Sequence, residues 1–315
     1  MNDSVYKTSS IYEDNQYFGK SQFLELYSSL HLSKSLTLLT GMDYRYHSYS
    51  QDYFSVSIYG PYKSKFRDTS LNQKAMYASM MYSSPDKKLT IELGGRYNEH
   101  SRYGNNITFT FKRAYQINNT YRVFGSISSG FKAHSLYQLS INDQLEAKKS
   151  INYEGGVSLQ TKKVNSRFVF FNRRINNGID YNYISYKYFN YIQQTVNGIE
   201  WEMTIRPTDK LNLTANYTYL SREEITQNRV TTKDTVSYDY LLRRPKHSIN
   251  LTAGFEWVKG LYTSLTGKYV SKRYYVGGYK KADVSLDSYI LLSDNAAYTL
   301  NSRVRFVADV QNLFN

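Results

Sequence analysis

Five histidines, His31, His47, His100, His134 and His247, are the first residues to test for chemistry, because imidazole serves as metal ligand and as general base. No two stand at His-x-x-x-His spacing, and the 315-residue chain has no cysteine to complete a ligand set, so no metal centre is expected. Adjacent carboxylates occur at Glu13-Asp14 and Glu223-Glu224, both in polar stretches where a solvated face explains them better than acid–base work. Asp143, within Ser140-Ile141-Asn142-Asp143-Gln144, lacks the dense oxygen spacing of a calcium loop, and there is no glycine-rich phosphate loop. His47 or His134 near a loop is the remaining opening for hydrolysis, and no motif accompanies either. The expectation is a protein that is not an enzyme, without catalytic residues, bound metal or cofactor.

The elements that would position any site are strands. From Gly198 to Leu220 the chain reads as one hairpin: Ile199, Trp201, Met203 and Ile205 alternate with Glu200, Glu202 and Thr204. After the turn Pro207-Thr208-Asp209-Lys210, Leu211, Leu213, Ala215, Tyr217 and Tyr219 alternate with Asn212, Thr214, Asn216 and Thr218. A period of two held for about ten residues exceeds the usual strand and matches the ~9–11 residues that a tilted strand needs to cross a bilayer. The same pattern runs through Ile249 to Trp257, Val304 to Val310, Leu89 to Leu93 and Ile107 to Phe111. Short turns recur at Ser33-Lys34-Ser35, Pro85-Asp86-Lys87-Lys88, Asn118-Asn119-Thr120, Lys163-Val164-Asn165, Pro207 to Lys210, Lys259-Gly260 and Asn301-Ser302. These turns predict about fourteen strands. Longer polar connections are expected near 49–70, 135–150, 180–190, 222–242 and 274–286, with a tighter one at Tyr103-Gly104-Asn105.

Composition bears on what surrounds such a sheet. Tyr 34 and Phe 15 exceed what one packed core needs, and interfacial girdles on a membrane barrel would house the surplus. Mean hydropathy is −0.59 and no apolar run is long enough for a membrane helix, whereas a barrel needs only every second residue apolar. A net charge of +14 is spread over many segments without a nucleic-acid-binding module, so no nucleic-acid partner is expected. Arg243-Arg244-Pro245-Lys246, Lys272-Arg273 and Lys280-Lys281 read either as solvated loop charge or as contacts to anionic headgroups or an anionic ligand. The reading is an all-β antiparallel transmembrane barrel in preference to a sandwich or β-helix, with short turns on one edge and long loops on the other.

Several segments resemble the barrel of TonB-dependent outer-membrane receptors. Phe306 to Asn315 is similar to that family's penultimate strand, ending in Asn312-Leu313-Phe314-Asn315. Tyr121 to Ala133 resembles the strand ending in Gly-Phe-Arg-Ala-Pro, with His134 in the proline's place. Ser150-Ile151-Asn152-Tyr153-Glu154-Gly155-Gly156, Asn197-Gly198-Ile199-Glu200 and Arg243-Arg244-Pro245-Lys246-His247 follow in order. The resemblance implies that residues 1–315 form part of a barrel of about 22 strands. It also implies that the plug domain, the signal peptide and the final strand lie outside them.

It further implies the bacterial outer membrane as location, outer-membrane lipid, the plug and the TonB complex as partners, and a metal chelate, siderophore or cobalamin-like, as ligand. A passive porin or structural barrel is the alternative. Ligand contacts are expected from loop aromatics: Tyr53, Tyr59, Tyr137, Tyr181, Tyr183, Tyr238, Tyr240 and Tyr274, with Phe54 and Tyr275 beside them. Glu200, Glu202, Asn212, Asn216, Asn250, Glu256, Arg303, Arg305 and Asp309 fall on polar faces and are expected to bond to the plug or to lumen water.

Overall fold

Alternation with few breakers leaves the backbone one economical way to satisfy its N–H and C=O groups, which is pairing between neighbouring strands. The computed structural model describes residues 2–4, 12–182, 184–231, 234–278 and 281–313. Its strands are β1 (Asn2–Ser4), β2 (Tyr12–Ser33), β3 (Leu36–Ser57), β4 (Gly60–Ser83), β5 (Leu89–His100), β6 (Gly104–Gln116) and β7 (Tyr121–Lys132). A short helix, the only one among the described residues, α1 (Leu136–Ile141), precedes β8 (Lys148–Gln160), β9 (Val164–Asn182), β10 (Lys187–Ile205), β11 (Leu211–Gln227) and β12 (Thr235–Tyr238). The chain continues through β13 (His247–Val258), β14 (Leu261–Val270), β15 (Arg273–Tyr275), β16 (Val284–Leu286), β17 (Tyr289–Thr299) and β18 (Arg305–Val310). One 16-stranded antiparallel sheet takes all but β15 and β16, which pair with each other, and its order follows the chain from β1 to β18, with β12 off the path on β11.

The two faces of the sheet are inverted relative to a soluble protein. Leu26, Met42, Met76, Tyr97 and Ile107 form one cross-strand row from β2 to β6, and each is 43–73% exposed. The next row on the opposite pleat is Tyr27, Gly41, Tyr77, Arg96 and Thr108, while Asp43, Asn98, Gln194 and Glu224 are buried. Apolar side chains outward and polar ones inward is the arrangement lipid requires of a barrel wall. Glu202, Asn216, Asn250 and Lys268 align on the polar face, as the alternation predicted for the first three.

All seven expected short turns lie on one edge. Lys259-Gly260 is a two-residue example in which Gly260 takes φ 89, a conformation that side chains rarely adopt. The opposite edge departs from expectation in two places. Residues 49–70 are not a loop: β3 and β4 continue to a two-residue turn at Ile58-Tyr59, and β9 and β10 likewise fill most of 180–190. These extensions, in strands of 19–24 residues, rise well beyond the membrane-crossing length. The connections 133–147, 228–246 and 271–288 are long as expected, although α1, β12, β15 and β16 give them structure.

Candidate functional site

The long connections fold over the polar face and are tied to it. In 133–147, Ser135 caps α1 and forms a capping box with Gln138, while Leu136, Leu139, Leu145 and Ala147 are buried beneath. Asn190 of β10 is the anchor. Its amide donates to Glu146 O at 3.0 Å and to Asn177 O at 2.8 Å, and its carbonyl accepts from Glu146 N at 2.8 Å. The ring of buried His134 meets Glu146 O at 2.5 Å. Burial, with Lys132 and Lys148 adding repulsion, holds His134 below the usual imidazole range, against the opposing effect of that bond.

Beside this loop lies a cavity of about 470 Å³, lined by Lys132, His134, Lys148, Asp180, Tyr191, Gln194, Glu224, Arg229, Arg243 and Arg244 among others. Its two sides differ in charge balance. On one, Arg229 pairs with Asp283 at 2.7 Å and with Glu224; Glu224 also accepts from Gln194 at 2.7 Å. Tyr240 donates to Asp283 at 2.8 Å, and the Arg229 guanidinium lies 4.1 Å from the Tyr238 ring centroid. Burial works against the Arg229 charge, but Glu224, Asp283 and Asp180 outweigh it and hold the group above its ordinary range. Burial, aided by Asp283, also raises the Tyr240 phenol.

The other side has no such balance. Lys132 and Lys148 are register partners on β7 and β8, and the like charges of Lys132, Arg173 and Arg244 bear on Lys148. Arg173 reaches only the neutral Asn152, at 2.8 Å, and Arg222 donates to the backbone carbonyls of Arg244 and Pro245. None of Lys132, Lys148, Arg173 and Arg244 has a carboxylate partner among the described residues. Lys132, Lys148 and Arg244 line this side of the cavity, and the Arg173 charge adds to the field at Lys148, an excess of positive charge suited to an anion.

A second lattice occupies the β2–β6 wall. Asp43 contacts Arg96 at 2.6 Å and Arg45 at 3.4 Å, ionic contacts without hydrogen-bond alignment. Arg96 and Gln73 donate to Asn98, Asn98 donates to Asn106, and Tyr77 donates to Glu25 at 2.7 Å. Of these residues Arg45, Gln73, Arg96 and Asn98, together with His47, His100 and His134, border a cavity of about 710 Å³. No cluster of three metal-ligating side chains occurs among the described residues.

The expected aromatic contacts fall into groups. Tyr137 on α1 meets Tyr49 and Tyr188 at 6.3 Å, and Tyr181 meets Tyr188 at 5.0 Å. Tyr238, Tyr240 and Tyr274 stack in series at 5.3 and 4.0 Å. Tyr53 and Tyr59 stand apart on the β3–β4 hairpin, with Tyr59 92% exposed at its tip. Tyr183, like Lys280 and the last two residues of the terminal motif, lies outside the described residues. None of the seven described tyrosines borders the cationic cavity, although Tyr181 lines the crevice next to it. Of the residues that do border it, Arg243 and Arg244 belong to a cluster already read as one that could contact an anionic ligand, whereas Lys132, Lys148 and Arg229 were missed. Their juxtaposition depends on which strand pairs with which, and the one available signal was that Lys132 and Lys148 share the polar phase across a connection.

Residues 2–313 match the family described as TonB dependent receptor-like, beta-barrel. A mutant of the ferric enterobactin receptor from Pseudomonas aeruginosa superposes with TM-score 0.72 at 19% identity, over 96% of this chain and 49% of that one. The ferric yersiniabactin uptake receptor from Yersinia pestis gives 0.74 at 16%, over 99% and 51%. The copper transporter OprC gives 0.77 at 12%, over 96% and 51%. The chain thus spans about half the length of these proteins, and at such identities the likeness is one of fold.

Proposed function

The chain belongs to the TonB dependent receptor-like β-barrel family, and from that premise we propose that it serves as barrel wall in an outer-membrane receptor importing an anionic metal chelate by energy coupling. The observation that carries this reading is the group of cations without a carboxylate partner, Lys132, Lys148 and Arg244, lining a space beside the aromatic-bearing connections, with Arg173 adding to the field at Lys148. Such a site raises the local concentration of an anion. The names of two structural neighbours, receptors for ferric enterobactin and ferric yersiniabactin, point the same way. We assign the Asp43–Arg96 lattice as a seat for a plug domain, through which the TonB complex would act. The aromatic stacks around Tyr137 and Tyr240 would close over the ligand.

The test uses the intact receptor in cells, with radio-iron delivered as a tris-catecholate complex of net negative charge or as a neutral hydroxamate complex. Lys132→Gln with Lys148→Gln should raise the half-saturating concentration of the anionic complex about tenfold at unchanged maximal rate, the loss expected when charged hydrogen bonds are removed. An unchanged half-saturation would remove the anion site from the proposal. Uptake that persists after collapse of the proton-motive force would remove energy coupling and favour a passive pore.

A further inference from the structure

The short-turn edge carries a second concentration of charge, remote from the cavity. Six of its seven turns contain at least one Lys or Arg, nine cations in all against the two carboxylates Asp86 and Asp209, and every one of the nine is exposed. The surplus of seven is half of the chain's net +14 on about a twelfth of its residues. No turn cation is in an ion pair among the described residues. Asp86 is already engaged by Ser84 Oγ at 2.5 Å and Lys88 N at 3.1 Å, which holds its carboxyl below the usual range.

Their placement relative to the apolar face repeats from hairpin to hairpin. Lys88 precedes Leu89, Lys163 precedes Val164, Lys210 precedes Leu211, and Lys259 follows Trp257 by two residues, each neighbour belonging to the outward apolar face. That face ends in a row of rings: Tyr82 opposite Leu36, Tyr115 opposite Leu89, Tyr121 opposite Leu159 and Tyr298 opposite Leu261, with Trp257 58% exposed. Rings of this kind sit at headgroup level. A strand rises ~3.4 Å per residue, so an ammonium one or two residues beyond such a ring, on a flexible stem, reaches the phosphate layer.

We propose that this edge is a collar that binds the anionic headgroups of glycerophospholipids in the leaflet it faces. The inference rests on the membrane-barrel reading and on this edge being the periplasmic one, and not on the chelate. Clustered Lys and Arg at a bilayer surface act additively on anionic lipid, and the effect is screened by salt. The collar would select phosphatidylglycerol-type lipids over zwitterionic ones at the protein boundary and hold the barrel at a set depth.

The test reconstitutes the intact receptor in phosphatidylcholine vesicles carrying spin-labelled phosphatidylglycerol or spin-labelled phosphatidylcholine, and reads the fraction of each label immobilised at the protein. The unaltered protein should favour phosphatidylglycerol by about fivefold, falling towards parity in high salt. Lys87→Gln, Lys88→Gln, Lys162→Gln and Lys163→Gln together should abolish most of the preference, whereas Lys272→Gln with Arg273→Gln on the opposite edge should leave it intact. Absence of a preference, its survival in the turn variant, or its loss in the opposite-edge variant would each overturn the collar. Neither readout involves iron, so a receptor that imports nothing would still pass or fail on lipid alone.

Discussion

Arg229 shows how much one side chain can hold. It joins Glu224 on β11 to Asp283 in the 271–288 connection, with side-chain exposures of 9, 6 and 2%. Replacing it by Met leaves two buried carboxylates without their cation, held only by the neutral Gln194 and Tyr240, a change that costs about 3–5 kcal/mol. Faster proteolysis within 228–246 and 271–288 should report that loss, and adding Asp283→Asn should recover part of it; cleavage at the unaltered rate would deny Arg229 its role. His134 supplies a pH dependence. Its folded-state value lies below the ordinary one, so between the two the unfolded loop binds more protons and stability falls as pH falls through that window. Below about pH 6.5 the 133–147 connection should loosen, seen as faster amide exchange in α1, and His134→Asn should flatten the profile.

At the scale of elements, tight ring-on-glycine contacts set strand positions. Gly198 on β10 is opposite Phe171 on β9, and a Cβ there would lie 2.2 Å from the ring. Gly198→Val should therefore cost about 1–3 kcal/mol through overpacking, with Phe171→Leu as the compensating change, both read from thermal unfolding of the purified receptor. The hairpins themselves were legible in sequence, because alternation inside the membrane contrasts Leu, Ile and Trp with Glu, Asn and Thr, and because turns such as Pro207 to Lys210 announce themselves. Residues 49–70 were misread for the converse reason. Beyond the membrane-crossing length Ser50, Gln51 and Asp52 interrupt the apolar alternation and resemble a loop. α1, at six residues, is too short to show a helical period. The cationic site was only partly legible: Arg243-Arg244 stood out as a cluster, but Lys148 and Arg244 come together only after four further strands, β9 to β12, have been laid down.

Across the whole molecule, the division between edges makes orientation testable. The structured connections at 133–147, 228–246 and 271–288 should face the outside and the turns the periplasm. In the intact receptor, Asp234→Cys should react with a membrane-impermeant thiol reagent on whole cells and Asp209→Cys should not; reversed labelling would invert the barrel and with it the lipid collar. The strict chain-order pairing of the sheet has a consequence of another kind, for biogenesis. Each strand on the path waits only for its immediate predecessor, so loop-closure entropy is spent in small instalments and the wall can lengthen by accretion at a single growing edge. A misfit such as Gly198→Val would then be felt twice, as the local cost read on the folded receptor and as a delay in recruiting every strand C-terminal to it.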